Sequence, residues 1–564
     1  MKKLFTVLIA LGCWLQSNAQ ENLPSNFFKK TLPNGLEVLV IEDANVPLAT
    51  IEIVVKNGAY TEDSAFNGLS HLYEHMFFKA NKTYPSQKAY LDRVNELGIS
   101  FNGTTSDERV NYFCTLSKDK LTDGLQFMND AIRYPLFLQD EMKTENPVVA
   151  GEFQRNESGP YFSLFYKMNQ KVWGDNWYRK NAIGLYSTIL SATPEKMTVI
   201  KDKYYYPNNS MLAISGDVDH NKVFAEAARI LGDWKASDFD PFERYPIPEF
   251  KPLEYSSQFV IKSPIAKVPF LMQNYHGPDT RGDLKATYAA DVFSYILQQQ
   301  GSKLSQSLIE TGLAYKVEVG YQTARRTGPI SIVLVPNPAK TGEAIRELYK
   351  NMEQWDSDDY FTDEQLQTAK VNLEVSDAFS SEKPSDYIHT VTFWWASATV
   401  GYYTSYVENL KRVTREDIKN YVRKYIKGKN YVAGLALPER MAGSFDAKLF
   451  AETYDMKDYT LYFDNNEVAM TDSANAAKLI SLRQWIKINP TVNIRVESYQ
   501  DAAEGKTAGL TRYTEITKEL LAAGYPEARI IGNTNKAFQV KKQKGVTDVE
   551  KKENRKVVFT IVKQ

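Results

Sequence analysis

Apolar positions along the first 130 residues change period several times, and each change marks an element. Leu36 to Ile41 and Ala49 to Val55 are short apolar runs rich in β-branched residues. Asn34-Gly35 precedes the first and Asn57-Gly58 closes the second, so both predict strands. Ser70 to Phe78 has no Pro or Gly and carries apolar residues at helical spacing, which predicts a helix. A further helix is expected from about Pro85 to Leu97. Gly98 to Thr105 and Val110 to Leu116 predict a hairpin, and Lys118 to Ala131 another helix. The next long helix is expected to begin near Asn146 and Pro147, with Asn as cap and Pro in the first turn. This alternation predicts an α+β sandwich with helices on one sheet face.

The pattern then repeats. Thr193, Pro194 and Glu195 stand 221 residues before Thr414, Arg415 and Glu416, and the same offset lays Lys203-Tyr204 on Lys424-Tyr425 and Asn209 on Asn430. Each copy is a predicted helix followed by an apolar strand (Met211 to Ile214; Val432 to Leu437), so the chain holds two copies of one domain of about 220 residues. The Pro-rich stretch from Asp240 to Pro248 is the natural boundary. The tail belongs to neither copy. It predicts a helix over Ala477 to Ile486, broken by Asn489-Pro490, a strand over Val492 to Val496, a helix over Thr511 to Ala523, and a closing strand over Lys556 to Val562. The expected divisions are 1–19, 20–245, 246–458 and 459–564.

Length and charge narrow the picture. At 564 residues the chain is too long for one core and implies roughly three to five domains. With 68 basic against 69 acidic residues, nothing suggests nucleic acid. The 35 tyrosines suit a peptide-binding surface. Met1 to Lys3 is a basic n-region, Leu4 to Leu15 an apolar h-region, and Ser17 to Ala19 a small-residue cleavage site, which together read as a signal peptide. The expectation is an exported protein of the periplasm or cell envelope of a Gram-negative-type bacterium. Lipidation at Cys13 is the lesser expectation. Removing the signal leaves Cys114 alone, so no internal disulfide is expected.

The chemistry concentrates in the helix of Ser70 to Phe78. His71 and His75 fall one turn apart on one face with Glu74 beside them, and only five His occur in the whole chain. Two imidazoles so placed can grip one Zn²⁺, and the carboxylate can take a proton from water at the metal; this H-x-x-E-H order is the inverzincin signature. A third ligand must come from elsewhere. Glu152, on an apolar-flanked helix with Gly151 permitting close approach, is the first choice. The matching stretch of the second copy, Lys285 to Gln298, has neither His nor Glu. His220, His276 and His389 have no partner at ligand spacing and read as structural.

These residues resemble the M16 peptidases, the insulinase, pitrilysin and mitochondrial-processing-peptidase family, over about residues 28 to 440. The resemblance rests on His71 to His75, Asn102 to Tyr112, Val148 to Glu152, Pro207 to Asp217 and Gly312 to Tyr315. It implies a zinc endopeptidase acting on unfolded peptides, with one Zn²⁺ per chain on His71, His75 and Glu152 and Glu74 as general base. Glu145 matches an auxiliary acid, although Pro147 separates it from Glu152. The resemblance places substrate peptide along Ser100 to Thr105, with Asn102 the backbone contact. It also implies an Arg and a Tyr seven residues apart in the second domain; Tyr315 is present, but Leu308 stands at the Arg position. A homo-dimer, or a hetero-dimer with an Arg- and Tyr-bearing M16-like chain, is therefore expected. The alternatives are a subunit inert without such a partner and a non-catalytic envelope protein with a vestigial metal site. The tail resembles a small OmpA-like βαβαββ domain, in which Asp501 and Arg512 would meet the ammonium and carboxylate of peptidoglycan.

Overall fold

In the computed structural model, which describes residues 23–446, 448–468, 473–531 and 541–562, the first half is built around a six-stranded sheet. The expected signal segment and Cys13 lie outside the described residues. The strands are β1 (Phe27–Thr31), β2 (Glu37–Glu42), β3 (Leu48–Val55), β4 (Ser100–Thr105), β5 (Val110–Ser117) and β6 (Ser210–Gly216), in the order β1-β2-β6-β3-β5-β4. The second half holds β7 (Ser257–Ser263), β8 (Phe270–His276), β9 (Ala314–Tyr321), β10 (Pro329–Pro336) and β11 (Val432–Pro438), in the order β7-β11-β8-β10-β9. Without β1, the two orders are the same permutation. Pairing directions agree too: β2–β6 and β7–β11 are parallel, and every other pair is antiparallel. The helices Pro194–Tyr204 and Arg415–Tyr425 keep the 221-residue offset at both ends.

Val38, Leu39, Val40 and Ile41 are all buried, although alternate residues of a strand face opposite ways. Such a strand needs cover on both faces. On one face, Val38, Val40, Ile51 and Ile53 join a core in which the helix His220–Leu231 covers β2, Leu121–Arg133 covers β3 and β5, and Leu69–Phe77 covers β4 and β5. On the other, Leu39, Ile41, Val54 and Met211 meet Ile388, Val391 and Trp395 of the helix Pro384–Ser397, which belongs to the second half. The second sheet is covered in the reciprocal way. Phe259, Val432 and Ala436 pack on Leu164, Met168 and Val172 of the helix Phe162–Trp173 from the first half. Helices therefore lie on both faces of the sheets, not on one as expected, and each half lends a helix to the other. At about 1.5–3 kcal/mol per fully buried large apolar side chain, these crossed helices are the main bond between the halves.

The helix expected at Asn146 begins instead at Gln139 and runs to Glu157 with Pro147 inside it. Asn146 is therefore not the cap and Pro147 not in the first turn: Leu138, in extended conformation, precedes a first turn that carries Asp140 and Glu141, which suit a helix N-terminus.

The tail forms a third sheet. β12 (Leu461–Tyr462), β16 (Lys556–Val562), β13 (Asn493–Asp501) and β14 (Ile530–Ile531) follow one another, and β15 (Lys541–Gln543) also pairs with β13. Two helices, Ser473–Ile488 and Ala508–Ala522, accompany it. This unit is pinned to the outer edge of the second sheet. Asn489 accepts from Ser256 N–H at 2.6 Å and donates to Ser256 O at 2.9 Å, and Gln484 donates to Gln258 at 2.6 Å. Among the described residues, no helix is long and apolar enough to cross a membrane.

Candidate metal centre and active site

The helix Leu69–Phe77 starts at Gly68, which has φ 91° and no capping side chain. Glu62 does that work: its buried carboxylate accepts from the N–H groups of Gly68 at 2.8 Å and Ser70 at 2.7 Å, and from Asn67 Nδ2 at 3.1 Å. Burial pushes the Glu62 carboxyl up to about 7 despite those N–H groups. Gly68 must be glycine, since a Cβ there would lie 2.6 Å from the Cα of Gly184. Below the helix, Tyr73 stacks on Tyr205 at 4.1 Å and Phe77 on Tyr112 at 3.8 Å, with the hydroxyls of Tyr112 and Tyr205 joined at 2.7 Å. This packing fixes the roll of the helix and hence which side chains face outward.

His71, His75 and Glu152 face outward together, with one ligand atom from each within 4.8 Å of the others. His71 Nε2 stands 3.5 Å from Glu152 Oε2, the spacing of neighbouring ligands around one tetrahedral zinc, on the order of 3–3.5 Å. The donor set of two imidazoles and one carboxylate suits Zn²⁺. His71 is held neutral, its pKa lowered to about 4 by burial and by the neighbouring His75. Its Nδ1 is buried and has no hydrogen-bond partner. His75 differs. Burial lowers its pKa, but the hydrogen bond to Glu145 and the charges of Glu74, Glu145 and Glu152 raise it more. His75 Nδ1 lies 2.8 Å from Glu145 Oε1, which leaves Nε2 for the cluster, the usual arrangement of a metal-binding imidazole. The other oxygen of Glu145 pairs with Lys79 at 2.5 Å. Since the helix Gln139–Glu157 is continuous, Glu145 and Glu152 share one face of it, and the separation by Pro147 does not occur.

Glu74 is buried and lies beside the cluster. Thr105 donates its hydroxyl to Glu74 Oε2 at 2.7 Å. Burial raises the Glu74 pKa, with the nearby Glu152 adding to it, while Thr105 and His75 oppose. Gly103 of β4 lies directly against this side chain: a Cβ on it would sit 2.8 Å from Glu74 Cγ. Thr105, Gly103, Glu62 and Lys79 escape sequence reasoning. Only Gly103 carries a signal, a glycine inside a strand, which often marks close approach.

Asn102 is exposed on β4, its Oδ1 accepting from the N–H of Gly103 at 2.9 Å. β4 ends the strand order and pairs only with β5 among the described strands, so its outer edge is open. Tyr315 is 61% exposed on β9, the corresponding edge of the second sheet, whereas Leu308 is wholly buried. Asp501 accepts from Asn554 Nδ2 at 2.9 Å and from the N–H groups of Ala503 and Gly545. Arg512 is buried, giving both Nη groups to Glu504, Nε to Glu467 O and Nη2 also to Asp464 O. The guanidinium is thus spent inside the fold and is not presented to a carboxylate from outside. The remaining histidines are committed to Glu42, Val172 O and Glu52.

A model of the insulinase domain of peptidase family M16 matches residues 37–183, and that of the family's inactive domain matches residues 191–373. The chain thus carries two domains of the M16 type. An uncharacterised zinc protease of Rickettsia felis is 29% identical over 220 residues, 39% of this chain and 53% of its own length. The zinc protease PqqE of Helicobacter pylori is 27% identical over 221 residues, 39% of this chain and 49% of its own. The chain thus spans about half the length of the curated relatives it matches. In fold, it resembles a protease from Helicobacter pylori with a TM-score of 0.66 at 21% identity, over 74% of this chain and all of that one. The periplasmic protease PqqL from Escherichia coli superposes with a TM-score of 0.62 at 15% identity, over 79% of this chain and 54% of that one. The matched residues include His71, His75 and Glu152 in the first domain, and the second domain, of the inactive type, has Val292 and Ile296 in the core where the helix Leu284–Gln298 parallels Leu69–Phe77.

Proposed function

We propose that this chain is a zinc-dependent endopeptidase that hydrolyses unfolded peptides in the cell envelope. The observation that carries the reading is the convergence of His71, His75 and Glu152 with Glu74 alongside, held by Thr105. His71, His75 and Glu152 would hold the ion, and Glu145 would orient His75 from behind. A bound Zn²⁺ supplies Lewis acidity to the scissile carbonyl and makes water more acidic. Glu74, through the oxygen that Thr105 does not hold, takes a proton from the attacking water and returns it to the leaving amine. Its raised pKa brings it nearer neutrality, where a group can both accept and give back a proton. An extended peptide adds to the open edge of β4 at Asn102, beside Glu74. The basic and apolar N-terminal segment supports export, as does the likeness to a protein described as a periplasmic protease. The test is Glu74→Gln, which leaves the ligands in place: peptide hydrolysis should fall about 100-fold or more with zinc content unchanged. Unchanged hydrolysis would refute the reading.

A second reading is favoured by Leu308. An exposed Tyr315 with a buried Leu308 seven residues before it supports a chain that works as a dimer, with itself or with an M16-like partner that supplies an Arg. Gel filtration with mass measurement, run beside a peptidase assay, decides it; an active monomer removes this reading.

A further inference from the structure

The turn between β4 and β5, Ser106 to Arg109, is gripped from the second half at Glu108 and Arg109. The Glu108 carboxylate, 4% exposed, accepts from the backbone N–H of Arg325 at 2.7 and 3.0 Å and from that of Arg326 at 3.3 Å. Two successive N–H groups aimed at one carboxylate form a small anion cradle. The cradle is a rigid piece of the turn between β9 and β10. Its next residue, Thr327, stands at φ 40°, a conformation that a β-branched residue keeps only when its surroundings impose it. Those surroundings are visible: Thr327 N–H donates to Asp279, Gly328 N–H to Pro278 O at 3.0 Å, and Arg326 pairs with Glu249 at 2.5 Å. On the far side, Arg109 donates to His389 O at 2.7 Å and to Thr392 at 2.6 Å, both on the crossed helix Pro384–Ser397. The first half contributes Ala59 N–H to Ser106 O at 3.2 Å and Tyr60 N–H to Asp107 O at 2.9 Å.

This turn begins one residue after Thr105, whose hydroxyl holds Glu74, and Thr105 pairs directly with Val110 across it. Where the turn is fixed, the hydroxyl is fixed. We propose that Glu108 is a positioning residue, through which the half without metal ligands sets Thr105 and thereby the proton-transfer geometry of Glu74. The inference rests on the reading of Glu74 as the base. It gives the inactive-type domain a task in the reaction beyond covering the first sheet.

A double-mutant cycle on the full-length, zinc-loaded chain tests it, with kcat and KM for a peptide and zinc content by elemental analysis. Glu108→Ala and Thr105→Val should each lower kcat about tenfold, and Glu108→Ala should cost under about twofold more once Thr105 is already Val. Zinc content should stay at the wild-type level throughout. An equal loss of kcat in both backgrounds, or loss of zinc from Glu108→Ala, would overturn the proposal. Should Glu108→Ala not fold, Glu108→Gln keeps the shape and one acceptor oxygen, and the same non-additivity is expected. Glu74→Gln run alongside separates the two levels. If it retains hydrolysis, the base reading fails and the inference with it; if it is inactive and the cycle is additive, only the role of Glu108 falls.

Discussion

Glu145 and Glu152 stand two helical turns apart on one face of a single helix, with Pro147 between them. The proline removes one N–H donor but does not end the helix. One rigid element therefore delivers Glu152 to the metal cluster and Glu145 to the far nitrogen of His75. This arrangement makes the geometry of two groups depend on the register of one helix.

Glu145→Gln should raise the dissociation constant for zinc about 10–100-fold, because the imidazole of His75 loses the charged partner that orients it. Lys79 would also lose its ion pair, so a modest fall in thermal stability is expected alongside. Competition with a calibrated chelator measures the affinity. An unchanged zinc affinity would show that packing alone aligns His75.

Gly103→Ala should spare the fold and damage the chemistry. Gly103 is not in the left-handed region, and an added Cβ would lie 2.8 Å from Glu74 Cγ and 3.1 Å from the backbone oxygen of Asn111, so the Glu74 side chain, the nearer and the more mobile, swings aside first. That swing would break its bond to Thr105. The expected result is near-wild-type melting and zinc content with kcat reduced by about 10–100-fold. Full activity would mean that Glu74 does not work from the position it holds here.

The metal helix was legible because its chemistry is local: His71, Glu74 and His75 lie within five residues, and helical periodicity alone puts them on one side. The repeat was legible because two helices ending in Lys-Tyr keep one offset. Glu152 came from its flanking apolar residues together with the family resemblance. What escaped depends on distance along the chain. The crossed helices Phe162–Trp173 and Pro384–Ser397 left one trace in the sequence, the unbroken apolar run of Val38 to Ile41, which says that a second face is covered but not by what. Pro147 misled because a proline after Asn is the ordinary mark of a helix start, and the first turn from Gln139 has no side-chain cap to compete with it. Arg512 misled in another way: its partner Glu504 lies in a loop and has no motif of its own.

The crossed helices predict that the two halves fold as one unit. Residues 23–245 expressed alone would expose Leu39, Ile41, Val54 and Met211, and are expected to be insoluble or molten. Co-expression with residues 246–562 should restore a soluble complex. Calorimetry of the full chain should show one transition for both halves, and two well-separated transitions would contradict this.

Asp291 sits on the helix Leu284–Gln298, the counterpart of the metal helix, and accepts from the Tyr406 hydroxyl at 2.6 Å. Burial pushes its carboxyl up to about 7, with the Tyr406 hydrogen bond opposing. A raised folded pKa means stability that is complete below the unfolded value, about 4, and lost as pH rises through about 7. Asp291→Asn cannot ionise and keeps an acceptor oxygen. Its melting temperature relative to wild type should therefore climb between pH 4 and pH 8. A difference that stays flat over this range would show that the Asp291 carboxyl titrates no higher in the folded chain than in the unfolded one.

Arg512 and Glu504 have fully buried side chains and satisfy each other. Removing one partner of such a pair strands a charge at a cost of about 3–5 kcal/mol, whereas replacing both with apolar groups is often neutral. Glu504→Ala should thus melt the third sheet early, with trypsin releasing a fragment from near residue 460, while peptide hydrolysis in the first domain persists. The double change Glu504→Leu with Arg512→Leu should restore most of the lost stability. It also separates structure from recognition. If Arg512 serves only the fold, wild type and the restored double variant should co-sediment with purified peptidoglycan to the same extent. Loss of sedimentation in the stable double variant would reveal a ligand role that the buried guanidinium does not display.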